Sequence, residues 1–155
     1  MTRFRVMRAG AKDISILTEQ RHRMFADMHS PSRRDMAVHD AAFPRWVRRQ
    51  IRAKTLVCFL VENSDGEVVG GGSLWLRDVQ PYPGFPGGKI PYLMSMYTDP
   101  AYRGRGVGTL VVKHAMAWSK ARGFPSMSLH ASKMGKPLYG KLGWKRSSEM
   151  NVELR

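Results

Sequence analysis

Apolar residues along the chain recur with two different periods, and the changes of period outline a mixed fold. Phe4-Arg5-Val6-Met7-Arg8 alternates and reads as a short first strand, ended by Ala9-Gly10. From Asp13 onward Ile14, Leu17, Arg21, Met24, Phe25 and Met28 recur at helical spacing, until His29-Ser30-Pro31-Ser32 interrupts them. A second helical stretch carries Phe43, Trp46, Val47 and Ile51. Pro44 marks its start, because a proline at the first helical position gives up no hydrogen bond. Thr55 to Glu62 and Glu67 to Leu76 are then two strands joined by Asn63-Ser64-Asp65-Gly66, a hairpin signal. Gly70-Gly71-Gly72 gives the second of them nothing to pack, which predicts a bulge or the close approach of another group.

Pro81-Tyr82-Pro83-Gly84-Phe85-Pro86-Gly87-Gly88 is a loop by composition, and Ile90 to Thr98 reads as a buried strand. Val107, Leu110, Val111, Ala115, Trp118 and Ala121 form the apolar stripe of a third helix, ended by Gly123. Ser126 to His130 is a short strand, Pro137 to Leu142 a short helix stopped by Gly143, and Met150 to Leu154 a last strand. The order is β-α-α-β-β-β-α-β-α-β, of α/β (α+β) class. With no internal repeat, low-complexity segment or long linker, residues 1–155 are expected to form a single domain.

The densest chemistry lies between the third strand of the meander and the third helix. Asp99-Pro100-Ala101-Tyr102-Arg103-Gly104-Arg105-Gly106-Val107-Gly108 places three glycines within five residues. Such a run lets the backbone turn sharply and come close to a ligand, and the helix that follows aims its unpaired N–H groups and positive dipole end into the turn. Strand, glycine turn and helix together describe a pyrophosphate cradle. A P-loop is excluded, because no Lys-Ser/Thr pair follows Gly108. A dinucleotide fingerprint is excluded by the spacing of Gly104, Gly106 and Gly108, and because no acidic residue lies between Asp99 and Glu149 to hold a ribose.

Arg103-Gly104-Arg105-Gly106-Val107-Gly108 does satisfy R-x-x-G-x-G, and Leu138-Tyr139-Gly140-Lys141-Leu142-Gly143-Trp144 satisfies L-Y-x-K-x-G-F with Trp for Phe. In these two segments, in this order and at a spacing that fits one helix and one strand, the chain resembles the GNAT-type N-acyltransferases. The resemblance implies a mixed, mostly antiparallel central sheet with helices on both faces, and acetyl-CoA as cosubstrate. Pattern reading alone leaves that topology open.

By position, the resemblance assigns thioester and pantetheine contacts to the backbone of Met96, Tyr97 and Thr98, at the end of a splayed strand. It assigns the pyrophosphate to N–H groups of Arg103, Gly104, Arg105, Gly106, Val107 and Gly108, with Thr109 donating from the first helical turn. The glycines carry more of that assignment than the arginines, since surface arginines are abundant in this chain. Tyr139 is the general acid: a phenol of pKa about 10 stays protonated at neutral pH, and a departing thiolate has a pKa of about 8.5. His130 and Glu149 are the alternatives for a base. Ser132 stands seven places before the tyrosine, where many members of the family have an asparagine contacting the cofactor. The acceptor is expected between the first two helices and the later strands, with Arg21, Arg23, Met24, Phe25 and Asp27 as candidate specificity residues.

Composition adjusts this picture at its edges. Lys and Arg number 26 against 12 Asp and Glu, a formal charge of +14. Such a field attracts polyanions without specificity, and its three candidate causes are an acidic substrate, a nucleic-acid partner and the composition of a whole proteome. Arg45, Arg48, Arg49, Arg52 and Lys54 form a basic helix face, read first as solvated. The alternative to an enzyme is a basic nucleic-acid-binding or CoA-binding regulatory protein on the same fold. It lacks helix-turn-helix or zinc-finger spacing and aromatic residues among the cations. Expected partners are therefore a small-molecule or peptide amine, nucleic acid only non-specifically, and no membrane; a homodimer is left open. His22, His29, His39, His114 and His130 have no ligand spacing, so no metal is expected. Cys58, the single cysteine, sits in Leu56-Val57-Cys58-Phe59-Leu60 and reads as a buried structural thiol. Met1-Thr2-Arg3-Phe4-Arg5 leads into no signal-peptide core, which makes a cytoplasmic location the default.

Overall fold

The computed structural model describes residues 3–154. Met1 and Thr2, from the segment weighed above as a leader, and Arg155 lie outside the described residues. Among the described residues, nine strands and α-helices follow one another: β1 (Arg5–Ala9), α1 (Ile14–His29), α2 (Arg33–Arg52), β2 (Leu56–Glu62), β3 (Val68–Val79), β4 (Gly88–Thr98), α3 (Val107–Ala121), β5 (Ser128–Leu129) and α4 (Lys136–Lys141). The sheet order is β1-β2-β3-β4-β5; the first three pairings are antiparallel and β5 runs parallel to β4.

β2 shows why helices cover both faces. Its run is apolar at every position from Leu56 to Val61, and successive side chains point to opposite sides. Leu56, Cys58 and Leu60 pack with Ile14, Leu17 and Val47 of α1 and α2. Val57, Phe59 and Val61 pack toward α3, with Val107, Val111, Val112 and Ala115. Cys58 is 1% exposed, and burial pushes its thiol above the ordinary range, as suits a packing group.

Three sequence expectations need correction. Pro44 does not open the second helix; it lies inside α2, which starts eleven residues earlier at Arg33. The start is set by Ser32, whose Oγ accepts the N–H of Asp35 at 3.0 Å. An interior proline costs roughly 3 kcal/mol, and burial on either side of it, with Phe43 and Trp46 packed on the core and Val47 fully buried, offsets that cost. Met150–Leu154 does not form a strand either: residues 142–154 have no regular structure, and Met150, Val152 and Leu154 are 93%, 79% and 91% exposed. Alternation alone cannot make a strand, because its N–H and C=O groups need a partner ladder. The strand expected at Ser126 to His130 is likewise reduced to Ser128–Leu129.

The glycine run is explained by the close approach of another group, and it lies opposite a bulge on the neighbouring strand. In the β3–β4 ladder Gly71 faces Tyr97 and Ser73 faces Met94, so Ser95 and Met96 together oppose Gly72. The extra residue therefore sits on β4, where Ser95 has a φ of 56°. A Cβ on Gly72 would lie 2.6 Å from Met96 Sδ and 2.9 Å from Val111 Cγ1, and one on Gly70 would lie 2.8 Å from Val107 Cγ1. The glycines let α3 settle on the sheet beside the bulge. Among the described residues, no helix is long and apolar enough to cross a membrane.

Candidate active site

β4 pairs with β5 only at Tyr92 and Leu93. Beyond that point the two chains part, and the end of β4 loses a neighbour on one side. The gap is the mouth of a cleft of about 600 Å³, with Met96, Tyr97 and Thr98 on one wall. Ser132, Leu138 and Tyr139 form the opposite wall, and Met24, Asp27 and Met28 of α1 reach its rim.

The floor is the glycine turn. Asp99 Oδ1 accepts the N–H of Ala101 at 3.0 Å and closes a single 3-10 turn, Pro100–Tyr102, that carries the chain off β4. Gly104 and Gly106 then take φ values of 74° and 87°, and Gly106 caps α3. A side chain would be strained at either position, and a Cβ there would meet nothing within 4 Å, so the turn offers bare backbone to the cleft. The unpaired N–H groups of the first turn of α3 lie behind it. This arrangement suits a phosphate group, which needs donors and close approach rather than side chains.

Of the residues assigned to the cofactor by resemblance, Met96, Tyr97, Thr98, Arg103, Gly104, Gly106, Val107, Gly108, Thr109 and Ser132 line this cleft. Arg105 does not; its guanidinium lies 5.3 Å from the Tyr102 ring, where a cation–π contact holds it. Arg103 is tethered rather than free. Its Nε donates to Thr98 O at 3.1 Å and its Nη2 to Asp27 Oδ2 at 2.6 Å, tying the turn to β4 and α1. Ser132 Oγ accepts the N–H of Gly135 at 3.1 Å and so holds the entry to α4, which leaves its O–H still able to donate.

Tyr139 is 9% exposed, and burial pushes its phenol above the ordinary value of 10.0. It lines the cleft and also a second cavity of about 730 Å³. His130 and Glu149 line that second cavity, not the first, together with Trp144. The two base candidates therefore share a cavity with Tyr139, and neither lines the cleft of the glycine turn.

The candidate specificity residues divide. Met24 and Asp27 reach the cleft. Arg23 bonds Glu19 at 2.7 Å and lies 3.8 Å from Asp99. Arg21 turns toward β4 and bonds Ser95. Sequence reasoning missed Met28, Tyr102, Met134, Gly135 and Leu138 as lining residues. Met28 continues the α1 stripe and Tyr102 lies within the glycine run, so both were findable. Asp27 and Arg103 are 76 positions apart, and nothing local announces their bond.

Three comparisons with known proteins agree on the family. The acetyltransferase (GNAT) family profile matches residues 19–144. A glucosamine 6-phosphate N-acetyltransferase of Trypanosoma brucei brucei is 30% identical over 89 residues, which is 57% of this chain and 58% of that protein. The crystal structure of a GCN5-related N-acetyltransferase from Ralstonia eutropha superposes with a TM-score of 0.86 at 26% identity, covering 99% of each chain. A predicted acetyltransferase from Clostridium acetobutylicum, solved with acetyl-CoA, gives 0.85 at 28% identity, over 100% of this chain and 96% of the other.

Proposed function

Because the chain belongs to the acetyltransferase (GNAT) family, we propose that this cleft transfers an acetyl group from acetyl-CoA to a primary amine of a small molecule or peptide. Transfer is by direct attack, with no covalent enzyme intermediate. The observation that carries the reading is the meeting, in one cleft, of the glycine turn, the bulged end of β4 and Tyr139.

Each part has a physical task. The N–H groups from Gly104 to Thr109 bind the pyrophosphate, and the dipole of α3 adds to them. Backbone N–H groups at Met96 to Thr98, freed where β4 and β5 part, hold the pantetheine arm and polarise the thioester carbonyl. Fixing donor and acceptor in line lowers the entropy cost of the reaction. The carbonyl carbon gains a C–N bond and loses its C–S bond. Tyr139 gives its proton to the sulfur as that bond breaks, and its burial suits the task by keeping the phenol protonated. The amine loses one proton, for which either His130 or Glu149, both lining the neighbouring cavity, is the acceptor we assign.

A thermal-shift series with acetyl-CoA, CoA and NAD, followed by a thiol-release assay over an amine panel, tests the reading. Acetyl-CoA at 100 times its dissociation constant should stabilise the fold by about 2.7 kcal/mol, with NAD giving no shift. No shift with either coenzyme A form would overturn the cleft assignment.

A further inference from the structure

One charged side chain next to the site is left without a task by acyl transfer. Arg21 lies on α1 one turn before Met24 and two before Met28, so it shares the stripe that reaches the cleft. Its guanidinium sits between two rings, 4.9 Å from the Phe25 centroid and 5.0 Å from that of Phe43. Nη1 donates to Ser95 Oγ at 2.6 Å. Ser95 is the bulged residue of β4 and directly precedes Met96 on the cleft wall.

What Arg21 lacks among the described residues is a counter-ion. Nε is buried with no hydrogen-bond partner, and no carboxylate among the described residues forms an ion pair with the group. Desolvation lowers its pKa, yet a guanidinium remains charged at neutral pH. The other cations named in the site are paired or placed differently: Arg103 has Asp27, Arg23 has Glu19, and Arg105 lies on Tyr102. Holding a half-buried cation with one neutral hydroxyl is costly. The rings of Phe25 and Phe43 contact the guanidinium without bonding its N–H groups, whose hydrogen-bonding capacity suits a planar or tetrahedral anion.

We propose that Arg21 recognises an anionic group, a carboxylate or a phosphate, carried by the acceptor amine. This rests on the acetyl-transfer reading of the cleft and narrows it, from amines in general to amines that bear a negative charge. Turning the guanidinium from Ser95 toward such a group would place the acceptor along the β4 wall, close to Met96. The overall charge of +14 would gather such acceptors from solution, and Arg21 would orient them.

The test compares kcat/KM for matched acceptors: an amino acid against its amide, and an amino-sugar phosphate against the free amino sugar. Each pair is run on the wild type, Arg21→Met and Arg21→Lys, with acetyl-CoA thermal shifts on all three. The wild type should favour one charged acceptor over its neutral partner by about 10- to 100-fold. Arg21→Met should bring that ratio close to one, chiefly through KM, and Arg21→Lys should restore part of it. The pair that shows the preference identifies carboxylate or phosphate. Equal use of charged and neutral acceptors by the wild type, or a preference that survives in Arg21→Met, overturns the proposal and leaves Arg21 as a stitch between α1 and β4. If Arg21→Met does not fold, Arg21→Gln takes its place, and an unchanged ratio in a folded Arg21→Gln overturns the proposal. Absence of an acetyl-CoA shift in the wild type would instead strike the acetyl-transfer reading itself.

Discussion

The backbone N–H of Trp144 donates to the carbonyl of Tyr139 at 3.1 Å, and the two rings meet at 6.0 Å with an interplanar angle of 63°. Gly143, at a φ of 87°, makes this return possible and sends its own N–H to Gly140 O at 3.2 Å. The pattern is a Schellman ending of α4, and the paired rings are the apolar contact that accompanies it. The glycine and the aromatic residue after the tyrosine thus fix the tyrosine itself. The proton-delivering role proposed for Tyr139 needs such fixing.

Tyr139→Phe follows from that contact. The ring keeps its packing on Trp144, so the acetyl-CoA dissociation constant should stay within about twofold, and only the hydroxyl is lost. Turnover should fall by roughly 10²- to 10⁴-fold, the usual worth of a general acid. Single-turnover kinetics would check it, and an unchanged chemical step would leave Tyr139 as packing.

The same residue gives a pH dependence with a definite sign. Burial raises the phenol's pKa above 10.0, and the protonated form is the one that donates. Wild-type turnover should therefore show no loss attributable to this group below about pH 10, and Tyr139→Phe should lack the alkaline limb. Because the folded state holds the proton more tightly, the group's contribution to stability is complete below pH 10. It is lost as pH rises through the folded value. Thermal melts from pH 8 to 11 on both proteins would show the difference.

Gly108→Ala separates binding from folding more cleanly than a change at Gly106. Gly106 sits at a φ of 87°, where any side chain strains the turn, whereas Gly108 is inside the first turn of α3. Alanine there favours the helix by up to about 1 kcal/mol. Its Cβ would stand 3.3 Å from Leu138 Cδ2, narrowing the cleft between α3 and α4. Calorimetric melts should show stability held or raised, while acetyl-CoA binding weakens by about tenfold. Unaltered binding would place the pyrophosphate elsewhere.

Gly72→Ala probes the bulge. The added methyl would press on Met96 Sδ and Val111 Cγ1, with an overpacking cost of roughly 1–3 kcal/mol. Met96 is the wall residue that must yield, so kcat/KM should drop together with the melting temperature. Wild-type activity in a destabilised variant would show that the bulge does not set the geometry of the cleft.

Arg48→Glu with Arg49→Glu tests the basic face of α2. Both side chains are exposed, and neither lines the cleft. The pair should weaken non-specific DNA binding in a salt titration and leave acetyl transfer within about twofold, since salt screens charges beyond about 8 Å. Loss of activity on the natural acceptor, with acetyl-CoA affinity intact, would assign that face to the function.

The sequence by itself determined what depends on local spacing. The glycines from Gly104 to Gly108 announce a turn that only glycine adopts without strain, and the stripe from Val107 to Ala121 announces the helix behind it. Gly143 and Gly123 announce helix ends, because a left-handed residue is needed there and both take positive φ. Most of the cleft was legible from those signals and the two motifs. The tertiary structure decided whatever needed a distant partner. Pro44 became interior because burial of Val47 outweighed its missing N–H, and Met150–Leu154 formed no strand because, among the described residues, none offers it a ladder. The bulge fell on Ser95 rather than on the glycines, since register is a property of two strands. Asp27 met Arg103, and Arg21, half-buried with no counter-ion among the described residues, met Ser95, through contacts more than 70 residues apart that no local pattern encodes.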